Sequence, residues 1–360
     1  MNKWKKSAAH LAAACAVLAA LLAGCKHEPM QIVFPYDHGP HLSAKTEWWH
    51  FSGELICKTG DSFGYNMTIF KVPLYGEGAT YFVNHLAISD LQDTEHTFSE
   101  STRIDFPGLG NMPGKPAINV EVASFTFDED TGFHIVGMNG QGININLQLK
   151  PVLPVVLEGD NGTINMPDGH IAYSYSYTNL KTTGEILLNG IYYSFSDNAT
   201  QSRSWMNHQW GLFSISADAR QAWDRFSLSF EDGSSLMALQ FRKKDTNKVL
   251  NYVASNGLLI TPHWVYQRAD GTVVRGKRLS TNYTRTWQDT NANATYPMDW
   301  TIHIPDLSAT ITAKPAFDAQ SLYALSTPPY WEGIGSADGT IEGTAKNATT
   351  HIEMWGYDVQ

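Results

Sequence analysis

From Trp49 onwards, apolar and polar residues alternate with a period of two in one segment after another. β-Branched and aromatic residues fall on one face of each segment, which is the pattern of a strand with one buried face. No segment keeps a 3.6-residue period, so the pattern predicts an all-β protein. The predicted strands include residues 62–72, 81–91, 117–129, 143–150, 170–180, 185–195, 223–230, 235–241, 258–267, 298–304 and 339–357.

These strands fall into two groups on either side of residues 151–169, a segment rich in proline and glycine. Such a composition is typical of a loop that crosses between two units, and residues 182–184 (TTG) indicate a further turn. Two consecutive antiparallel barrels are the simplest arrangement, because closed barrels leave no exposed strand edges. The predicted domains are residues 34–184 and 185–360.

Residues 1–24 are predicted to be a lipoprotein signal peptide. Three lysines precede an apolar run, residues 11–22, which is too short to span a bilayer. Residues 22–25 (LAGC) match a lipobox, which predicts cleavage before Cys25 and attachment of lipid to its sulfur. More than one acyl chain would anchor the protein stably to a membrane. The alternative is an ordinary secretory signal that happens to end in cysteine.

The residues after Cys25 indicate where the protein would be held. Residues 25–33 form a predicted tether, and Lys26 rather than aspartate follows the lipidated cysteine, which favours the outer membrane. We therefore expect a lipid-anchored protein of the cell envelope, in the outer membrane and facing the periplasm. Cys57 would be the one remaining cysteine, so an intramolecular disulfide is not expected.

Charge and motifs exclude several classes of protein. The 25 Lys and Arg include three in the signal peptide, which leaves 22 against 35 Asp and Glu, a net charge of −13. An acidic surface without a basic stripe repels nucleic acid, so no nucleic-acid partner is expected. Residues 60–64 (GDSFG) match G-x-S-x-G but lead into a predicted strand rather than a helix, so they are not a nucleophile elbow. The chain has no Walker glycine loop, no H-E-x-x-H and no G-x-G-x-x-G opening a helix. We expect no cofactor.

The densest candidate chemistry lies in residues 34–55, FPYDHGPHLSAKTEWWHFSGEL. An acid beside adjacent tryptophans is costly both to expose and to bury, so such a cluster usually occupies a pocket. Glu47 or Asp37 could serve there as a proton donor whose pKa is raised by burial. Alternatively, the tryptophans are core anchors and Glu47 caps backbone amides. A metal site formed by Asp37, His38 and His41 is a weaker alternative.

The same segment supplies most of a predicted ligand-binding set. Neighbouring side chains of a strand point to opposite faces, so only one of Trp48 and Trp49 can line a given cavity. The predicted set comprises Asp37, His38, Trp48, Trp49, His50 and, from a later hairpin, Phe230.

Two later segments supply further candidates. In residues 204–211 (SWMNHQWG), His208 and Trp210 share strand parity and would project to the same face, as a base on an aromatic platform. The alternative is a structural histidine that is satisfied within an aromatic core. Asp232 lies in Glu231-Asp232-Gly233, which is ordinary chemistry for a hairpin turn.

Three blocks of the chain resemble the family of carotenoid 1,2-hydratases and AttH-like proteins: residues 34–55, 203–211 (RSWMNHQWG) and 328–357 (PPYWEGIGSADGTIEGTAKNATTHIEMWGY). Residues 173–190 (YSYSYTNLKTTGEILLNG) are also similar to the family. The resemblance spans nearly the whole chain after the signal peptide, in the family's order. It implies two lipocalin-like β-barrels packed together, and it implies hydration, isomerisation or cyclisation of an isoprenoid-like substrate.

The resemblance also implies roles for particular residues. His208 and Trp210 match a His and Trp pair of the hydratases, and Asp232 matches their Asp. The family's Tyr position falls on Phe230, which lacks the hydroxyl. In such a reaction a buried, neutral carboxylic acid, Asp232 or else Glu47, would protonate the double bond. Tryptophan faces would stabilise the cation by up to about 2 kcal/mol each, and His208 would take the proton from the attacking water.

Two functions therefore remain open. One is an enzyme of the hydratase type with His208, Trp210, Asp232 and Glu47 as its catalytic residues. The other is a non-catalytic carrier of a lipophilic molecule that would serve an ABC-type envelope transporter. The lipid anchor and Phe230 favour this second function. A weaker third possibility is sugar binding, which requires exposed tryptophans.

Overall fold

The computed structural model describes residues 31–73, 79–105, 111–139, 142–195, 202–215 and 221–358. Within them the chain is nearly all strand, and the strands form two curled antiparallel half-barrel sheets. The predicted all-β fold of two consecutive lipocalin-like barrels is confirmed. The signal segment, Cys25 and most of the tether lie outside the described residues. No helix in the described ranges has the length and apolar character that a membrane span requires.

The first half-barrel contains thirteen of the described strands: β1 (Thr46–Ile56), β2 (Ser62–Pro73), β3 (Thr80–Asp90), β4 (Glu95–Asp105), β5 (Ala117–Asn119), β6 (Ala123–Asp128), β7 (Gly132–Met138), β8 (Ile143–Pro151), β9 (Val156–Leu157), β10 (Thr163–Asn165), β11 (Ile171–Leu188), β12 (Ile191–Phe195) and β13 (Arg203–Gly211). Hydrogen bonding orders them β4-β3-β2-β1-β13-β11-β8-β7-β6-β5, and β9, β10 and β12 also pair with β11. A 3₁₀ turn, Tyr36–His38, precedes β1.

The second half-barrel contains ten of the described strands: β14 (Gln221–Phe230), β15 (Ser235–Lys243), β18 (His263–Gln267), β19 (Val273–Gly276), β20 (Ser280–Asp289), β21 (Ala294–Ile304), β22 (Ala309–Pro315), β23 (Ser321–Leu322), β24 (Tyr330–Ile341) and β25 (Thr344–Trp355). Their order is β19-β18-β15-β14-β25-β24-β22-β21-β20, with β23 beside β24. β16 (Tyr252–Val253) and β17 (Leu259–Ile260) form a separate pair, and a 3₁₀ turn spans Pro305–Leu307.

The two sheets divide the chain later than the sequence predicted. Because β13 lies between β1 and β11, the first sheet extends to Gly211 and the second begins at Gln221. The predicted boundary between residues 184 and 185 falls inside β11, so the turn predicted at 182–184 is wrong. Gly184 carries the strand through this point with a φ of 130°. A side chain there would collide with the Asn146 carbonyl, so glycine marks a close backbone approach rather than a turn.

Each half-barrel is filled by its own side chains. Trp49 and Phe51 are fully buried in the first, and Tyr296 and Trp331 are fully buried in the second. Strand alternation turns the other faces of β1, β14 and β25 towards the opposite sheet. We call the surface where the two sheets meet the inter-sheet face.

The inter-sheet face combines an apolar cluster, which includes Trp205, Trp223 and Trp355, with buried polar contacts. Arg225 on β14 donates to both carboxylate oxygens of Glu158, at 3.0 and 2.6 Å. Thr349 on β25 donates to Glu54 on β1 at 2.6 Å. With the sheets packed in this way, every tryptophan of the described residues is buried or half-buried. Sugar binding by exposed tryptophans, the third possibility considered from the sequence, is therefore contradicted.

Candidate functional site

A network of charged side chains lies within the first half-barrel. We call it the inner cluster, and its members are Asp37, His41, Glu47, Lys71 and His208. Strand pairing places Glu47 opposite both Lys71 and Trp210, and it places Trp49 opposite His208. Directly opposed residues of an antiparallel pair share a face, so these side chains converge. His208 and Trp210 lie on one face, in agreement with their parity in the sequence.

Glu47 is the centre of the inner cluster and has no exposed surface. Its Oε1 lies 2.7 Å from His41 Nδ1 and 2.9 Å from His208 Nε2, and its Oε2 lies 3.1 Å from Lys71 Nζ. The backbone N–H of His41 donates to Glu47 at 3.0 Å, so the capping role considered from the sequence is present. Burial opposes ionisation, but the hydrogen bonds from His208 and His41 and the charge of Lys71 lower the pKa of Glu47 to about 2.

His208 is held at both ring nitrogens and on both sides of the ring. Its Nδ1 lies 3.0 Å from the Asp37 carbonyl oxygen and 3.2 Å from the Tyr175 hydroxyl. The ring centroids of Trp49 and Trp210 lie 4.8 and 4.6 Å away. Burial lowers the pKa of His208 to about 4, and the Glu47 carboxylate and the Asp37 carbonyl oppose that shift. This environment matches the satisfied structural histidine considered from the sequence.

Asp37 and His38 belong to the same packed region. Asp37 Oδ1 lies 3.0 Å from His41 Nε2, and the His41 ring stacks on Trp210 with centroids 4.1 Å apart. His38 Nδ1 lies 2.6 Å from the Tyr175 hydroxyl, and burial lowers the pKa of His38 to about 3. The structure thus brings these predicted residues together, but inside the first half-barrel rather than on a cleft wall.

The inner cluster presents one possible set of metal ligands. Ligand atoms of His41, Glu47 and His208 all lie within 4.8 Å of one another, a different set from the one considered on sequence grounds. The cation found beside Glu47 is the ammonium group of Lys71, which also donates to the His41 carbonyl at 2.6 Å. Burial disfavours a charge on His41, but hydrogen bonds to Asp37 and Glu47 raise its pKa. Two cations therefore balance two carboxylates without an added ion.

A second group of titratable residues lies at the inter-sheet face. Glu332 on β24 and Glu353 on β25 are directly opposite in the strand register, and we call them the carboxyl pair. His50 Nε2 on β1 lies 2.7 Å from Glu332 Oε1. Trp223 Nε1 on β14 donates to Glu353 Oε1 at 2.9 Å. The predicted ligand-binding residue His50 therefore serves this second group and not the inner cluster.

The environments of the two carboxyls force them into different protonation states. Like charges directly across a strand pair repel one another, so ionising both is unfavourable. Burial opposes charge on Glu332, but the charge and hydrogen bond of His50 lower its pKa. Burial and the neighbouring Glu332 raise the pKa of Glu353 to about 7. The pair thus consists of a carboxylate and a carboxylic acid, which is a pattern of acid–base sites.

The carboxyl pair lines a narrow pocket with aromatic walls. Trp48, Phe70, Trp223 and Tyr330 contribute to the walls, and the volume of about 10 Å³ has room for about one water molecule. The Trp48 and Trp223 rings are nearly parallel, with centroids 6.5 Å apart. Trp48 thus lines a cavity while Trp49 lies in the core, as strand alternation predicted.

Asp232 and Phe230 lie apart from both groups, on the wall of a larger cleft. Asp232 Oδ1 accepts hydrogen bonds from the Ser234 backbone N–H and hydroxyl at 3.0 and 2.6 Å, and Oδ2 contacts the Lys346 ammonium. Partial burial opposes ionisation, but the bonds from Lys346 and Ser234 lower the pKa of Asp232. The predicted role of neutral proton donor is therefore wrong for Asp232, and for Glu47 as well. Cationic neighbours keep both carboxyls ionised.

The sequence did not reveal the carboxyl pair, although residues 339–357, which contain Glu353, were predicted to form a strand. In THIEMW, His351 and Glu353 share one parity while Ile352 and Met354 occupy the other. That pattern places two polar side chains on one face of a strand whose opposite face is apolar. It could have identified Glu353 as a buried acid only if the facing strand had been known. Glu158 was also missed, because residues 151–169 were assigned to a loop.

Comparison with known proteins places the chain in a family. The model of the AttH-like family matches residues 26–357, nearly all of the chain after the predicted signal peptide. The chain belongs to the AttH-like family. No curated protein sequence matches it.

Solved structures of other proteins share the fold of this AttH-like chain. A crystal structure of an AttH protein from Nitrosomonas europaea has a TM-score of 0.74 at 22% identity, covering 92% of this chain and 98% of that one. Kievitone hydratase from Nectria haematococca has a TM-score of 0.70 at 15% identity, with 93% and 96% coverage. CghA has a TM-score of 0.57 at 12% identity, with 88% and 90% coverage. At these identities the likeness concerns the fold alone.

Proposed function

We propose that this AttH-like protein is an acid–base enzyme of the hydratase type, acting on a hydrophobic, isoprenoid-like substrate at the carboxyl pair. The observation that carries the proposal is the position of Glu353. It faces a second carboxyl across the strand pair and accepts from the Trp223 indole N–H, in a pocket of about 10 Å³ walled by Trp48 and Trp223, so the prenyl end of a substrate must move these walls apart to enter. A protonated acid beside indole rings supplies both a proton and a surface for a cation. The fold shared with kievitone hydratase is compatible with this class of reaction.

The proposed reaction adds one water across a trisubstituted double bond. Glu353 transfers its proton to the less substituted carbon, the π electrons form the new C–H bond, and a tertiary cation remains. The indole faces stabilise this cation, by up to about 2 kcal/mol each when desolvated. A water molecule then forms the C–O bond, and its excess proton returns to the Glu353 carboxylate, which regenerates the acid.

His50 and Glu332 act in this proposal as positioning residues. Their ion pair keeps one negative charge beside Glu353, which holds the proton on Glu353 and adds electrostatic stabilisation to the cation. The inner cluster acts from the other side of the same strands. Glu47 and His208 join β1 to β13 internally, and β1 carries Trp48 and His50 on its opposite face.

The experiment that tests this proposal uses water labelled with oxygen-18. Compounds with terminal prenyl groups are incubated with the protein, and mass spectrometry detects any product that has gained one labelled water. We expect such a product with the wild type and none with Glu353→Gln, which keeps the shape but has no acidic proton. The matched control Glu95→Gln, at an exposed position on β4, should retain the activity. If no compound is hydrated and the purified protein instead releases an unchanged lipophilic molecule, the carrier function is favoured.

The cellular context of the protein is also a proposal. On sequence grounds we propose that Cys25 is lipidated and anchors the protein in the outer membrane, facing the periplasm. If the protein is a carrier, we propose that it delivers its ligand to an ABC-type envelope transporter. Metabolic labelling with a radioactive fatty acid should mark the wild type and not Cys25→Ser. Equal labelling of both would show that Cys25 is not the attachment site.

A further inference from the structure

A cleft of about 1060 Å³ opens along the inter-sheet face beside the carboxyl pair. The cleft and the carboxyl pair lie on the same faces of β1 and β25, because residues two positions apart on a strand share a face. Ser52 follows His50 by two positions on β1, and His351 precedes Glu353 by two on β25. Packed sheets ordinarily interdigitate apolar side chains in such a place. Here the lining is rich in hydroxyl groups, and we call it the serine cleft. Its hydroxyl residues are Ser52, Ser204, Ser227, Ser229, Ser336 and Thr349.

Several polar atoms on the wall of the serine cleft have no hydrogen-bond partner among the described residues. Ser52 is fully buried with an unpaired Oγ, and His351 is 8% exposed with no hydrogen bond of good geometry at either ring nitrogen, although the Gly53 carbonyl lies near enough to favour its protonated ring. The Oδ1 atom of Asn179 is also buried and unpaired. Buried polar groups in native proteins are nearly always satisfied by protein, water or ligand. These three side chains therefore have hydrogen-bonding capacity that the described residues leave open to a ligand.

The protonation of His351 defines what that partner must offer. The Gly53 carbonyl and the charge of Glu332 favour the protonated ring, but burial is stronger and lowers the pKa of His351 to about 4. The neutral ring offers one donor and one acceptor, and the Ser52 hydroxyl likewise donates and accepts. A hydroxyl group matches both, because it also donates and accepts.

The charges around the serine cleft select against an anionic partner. Acidic residues outnumber basic ones on its described wall: Glu54, Glu231, Asp232 and Asp338 stand against Arg203. Lys346 offsets the charge of Asp232, which still leaves an excess of negative charge. Phosphate or carboxylate groups would be repelled, whereas hydroxyl groups can donate to these carboxylates.

We propose that the serine cleft binds an uncharged, hydroxyl-bearing group of the substrate. The substrate is then an amphiphile whose hydroxylated part occupies the cleft while its isoprenoid end reaches the carboxyl pair. The position of the isoprenoid end rests on the proposed function. Binding of the hydroxylated group in the cleft is independent of the proposed function, because it can be measured without any turnover.

Three probes with the same alkyl chain test the cleft: hexyl β-D-glucoside, hexylammonium and hexanoate. Each is titrated into the full-length protein by isothermal calorimetry at concentrations below micelle formation. We expect the glucoside to bind most tightly and hexanoate to show no binding. The proposal would be overturned if hexanoate bound as tightly as the glucoside or more tightly. It would also be overturned if hexylammonium bound tightly and the glucoside did not. Absence of glucoside binding would also overturn it.

Variants then locate the site. We expect Ser52→Ala and His351→Phe each to weaken glucoside binding about tenfold, the effect of about one lost hydrogen bond. Ser52→Thr keeps the hydroxyl and should restore most of the affinity. Ser43→Ala makes the same substitution at an exposed position and should change nothing. Unchanged binding in both cleft variants would place the glucoside elsewhere and refute the assignment.

Two readouts separate this inference from structural effects and from the proposed function. Because the Ser52 hydroxyl has no partner among the described residues, Ser52→Ala should leave the melting temperature unchanged, whereas a structural hydroxyl would lower it. Glu353→Gln should bind the glucoside as the wild type does while losing hydration. If the cleft binds the glucoside and no compound is hydrated, the binding site stands and the catalytic proposal fails.

Discussion

Glu47 and Glu353 are the same kind of side chain in opposite states, and the difference comes from their immediate neighbours. Glu47 has two histidines and a lysine within hydrogen-bond reach, so it stays ionised although it is fully buried. Glu353 faces Glu332 on one side and Arg225 on the other, and burial with the Glu332 charge outweighs Arg225, His50 and the indole donor, so the pKa of Glu353 is raised to about 7. Burial raises the pKa of any carboxyl, and the neighbours decide whether that effect prevails.

The raised pKa of Glu353 predicts a stability change with pH. Between about pH 4.5 and 7 the folded protein keeps a proton on Glu353 that the unfolded chain has released. The contribution of Glu353 to stability should therefore fall as pH rises through this range, and the difference between the wild type and Glu353→Gln isolates it from the contributions of other groups. Glu353→Gln removes the effect, and above pH 7 it should be more stable than the wild type by about 1–3 kcal/mol, with no gain below pH 4.5.

Urea unfolding at several pH values measures this difference, and Glu54→Gln is the control for removing a carboxyl from the same face. A Glu353→Gln variant that is less stable than the wild type above pH 7 would mean that the fold stabilises the Glu353 carboxylate, so that its pKa is not raised.

At the scale of elements, β1 serves two sites because its side chains alternate. Its odd-numbered residues, including Glu47 and Trp49, enter the first half-barrel, and its even-numbered residues, including Trp48 and His50, face the second sheet. Adjacent tryptophans thus have different tasks, one in the core and the other at the pocket of the carboxyl pair.

This division predicts opposite effects for the two tryptophans. Trp49→Ala should cost about 3–5 kcal/mol of unfolding free energy, because it empties a fully buried site. Trp48 is half-buried, so Trp48→Ala should cost less but lower the hydration rate by at least about tenfold through loss of a cation-stabilising face. Trp48→Phe keeps an aromatic face and should retain most of the rate. Paired denaturation and rate measurements check this, and equal losses of stability would contradict it.

The strands show how far the sequence alone could reach. Period-two alternation predicted the all-β fold and the shared face of His208 and Trp210, since both depend on local geometry. Local patterns could not reveal which strands become neighbours. The pairing of β13 with β1 moved the domain boundary past residue 184, and the pairing of β24 with β25 created the carboxyl pair. The protonation of Glu47 depended on Lys71, which comes from another strand.

At the scale of the whole molecule, a buried ion pair joins the two half-barrels. Arg225 on β14 and Glu158, between β9 and β10, form a two-bond contact with both side chains buried. This contact fixes the sheets that form the pocket and the serine cleft. It therefore links the geometry of both sites to the packing of the half-barrels.

Breaking this pair should be costly because it leaves a buried charge without a partner. We expect Arg225→Met to lower the unfolding free energy by about 3–5 kcal/mol, and the double variant Arg225→Met with Glu158→Met to recover much of the loss. Arg268→Met removes an exposed pair with Glu342 and should cost less than about 1 kcal/mol. Scanning calorimetry compares the three variants. Equal losses for Arg225→Met and Arg268→Met would show that the buried pair does not hold the half-barrels together.

The central claim is that Glu353 is a neutral acid near pH 7, and infrared difference spectroscopy tests it most directly. A protonated carboxyl gives a carbonyl stretch that a carboxylate lacks. In the wild type we expect this band at about pH 6 and its loss by about pH 8, with no such titration in Glu353→Gln. A wild-type spectrum without the band at the lower pH, or a band that persists in Glu353→Gln, would contradict the assignment of Glu353 as the proton donor.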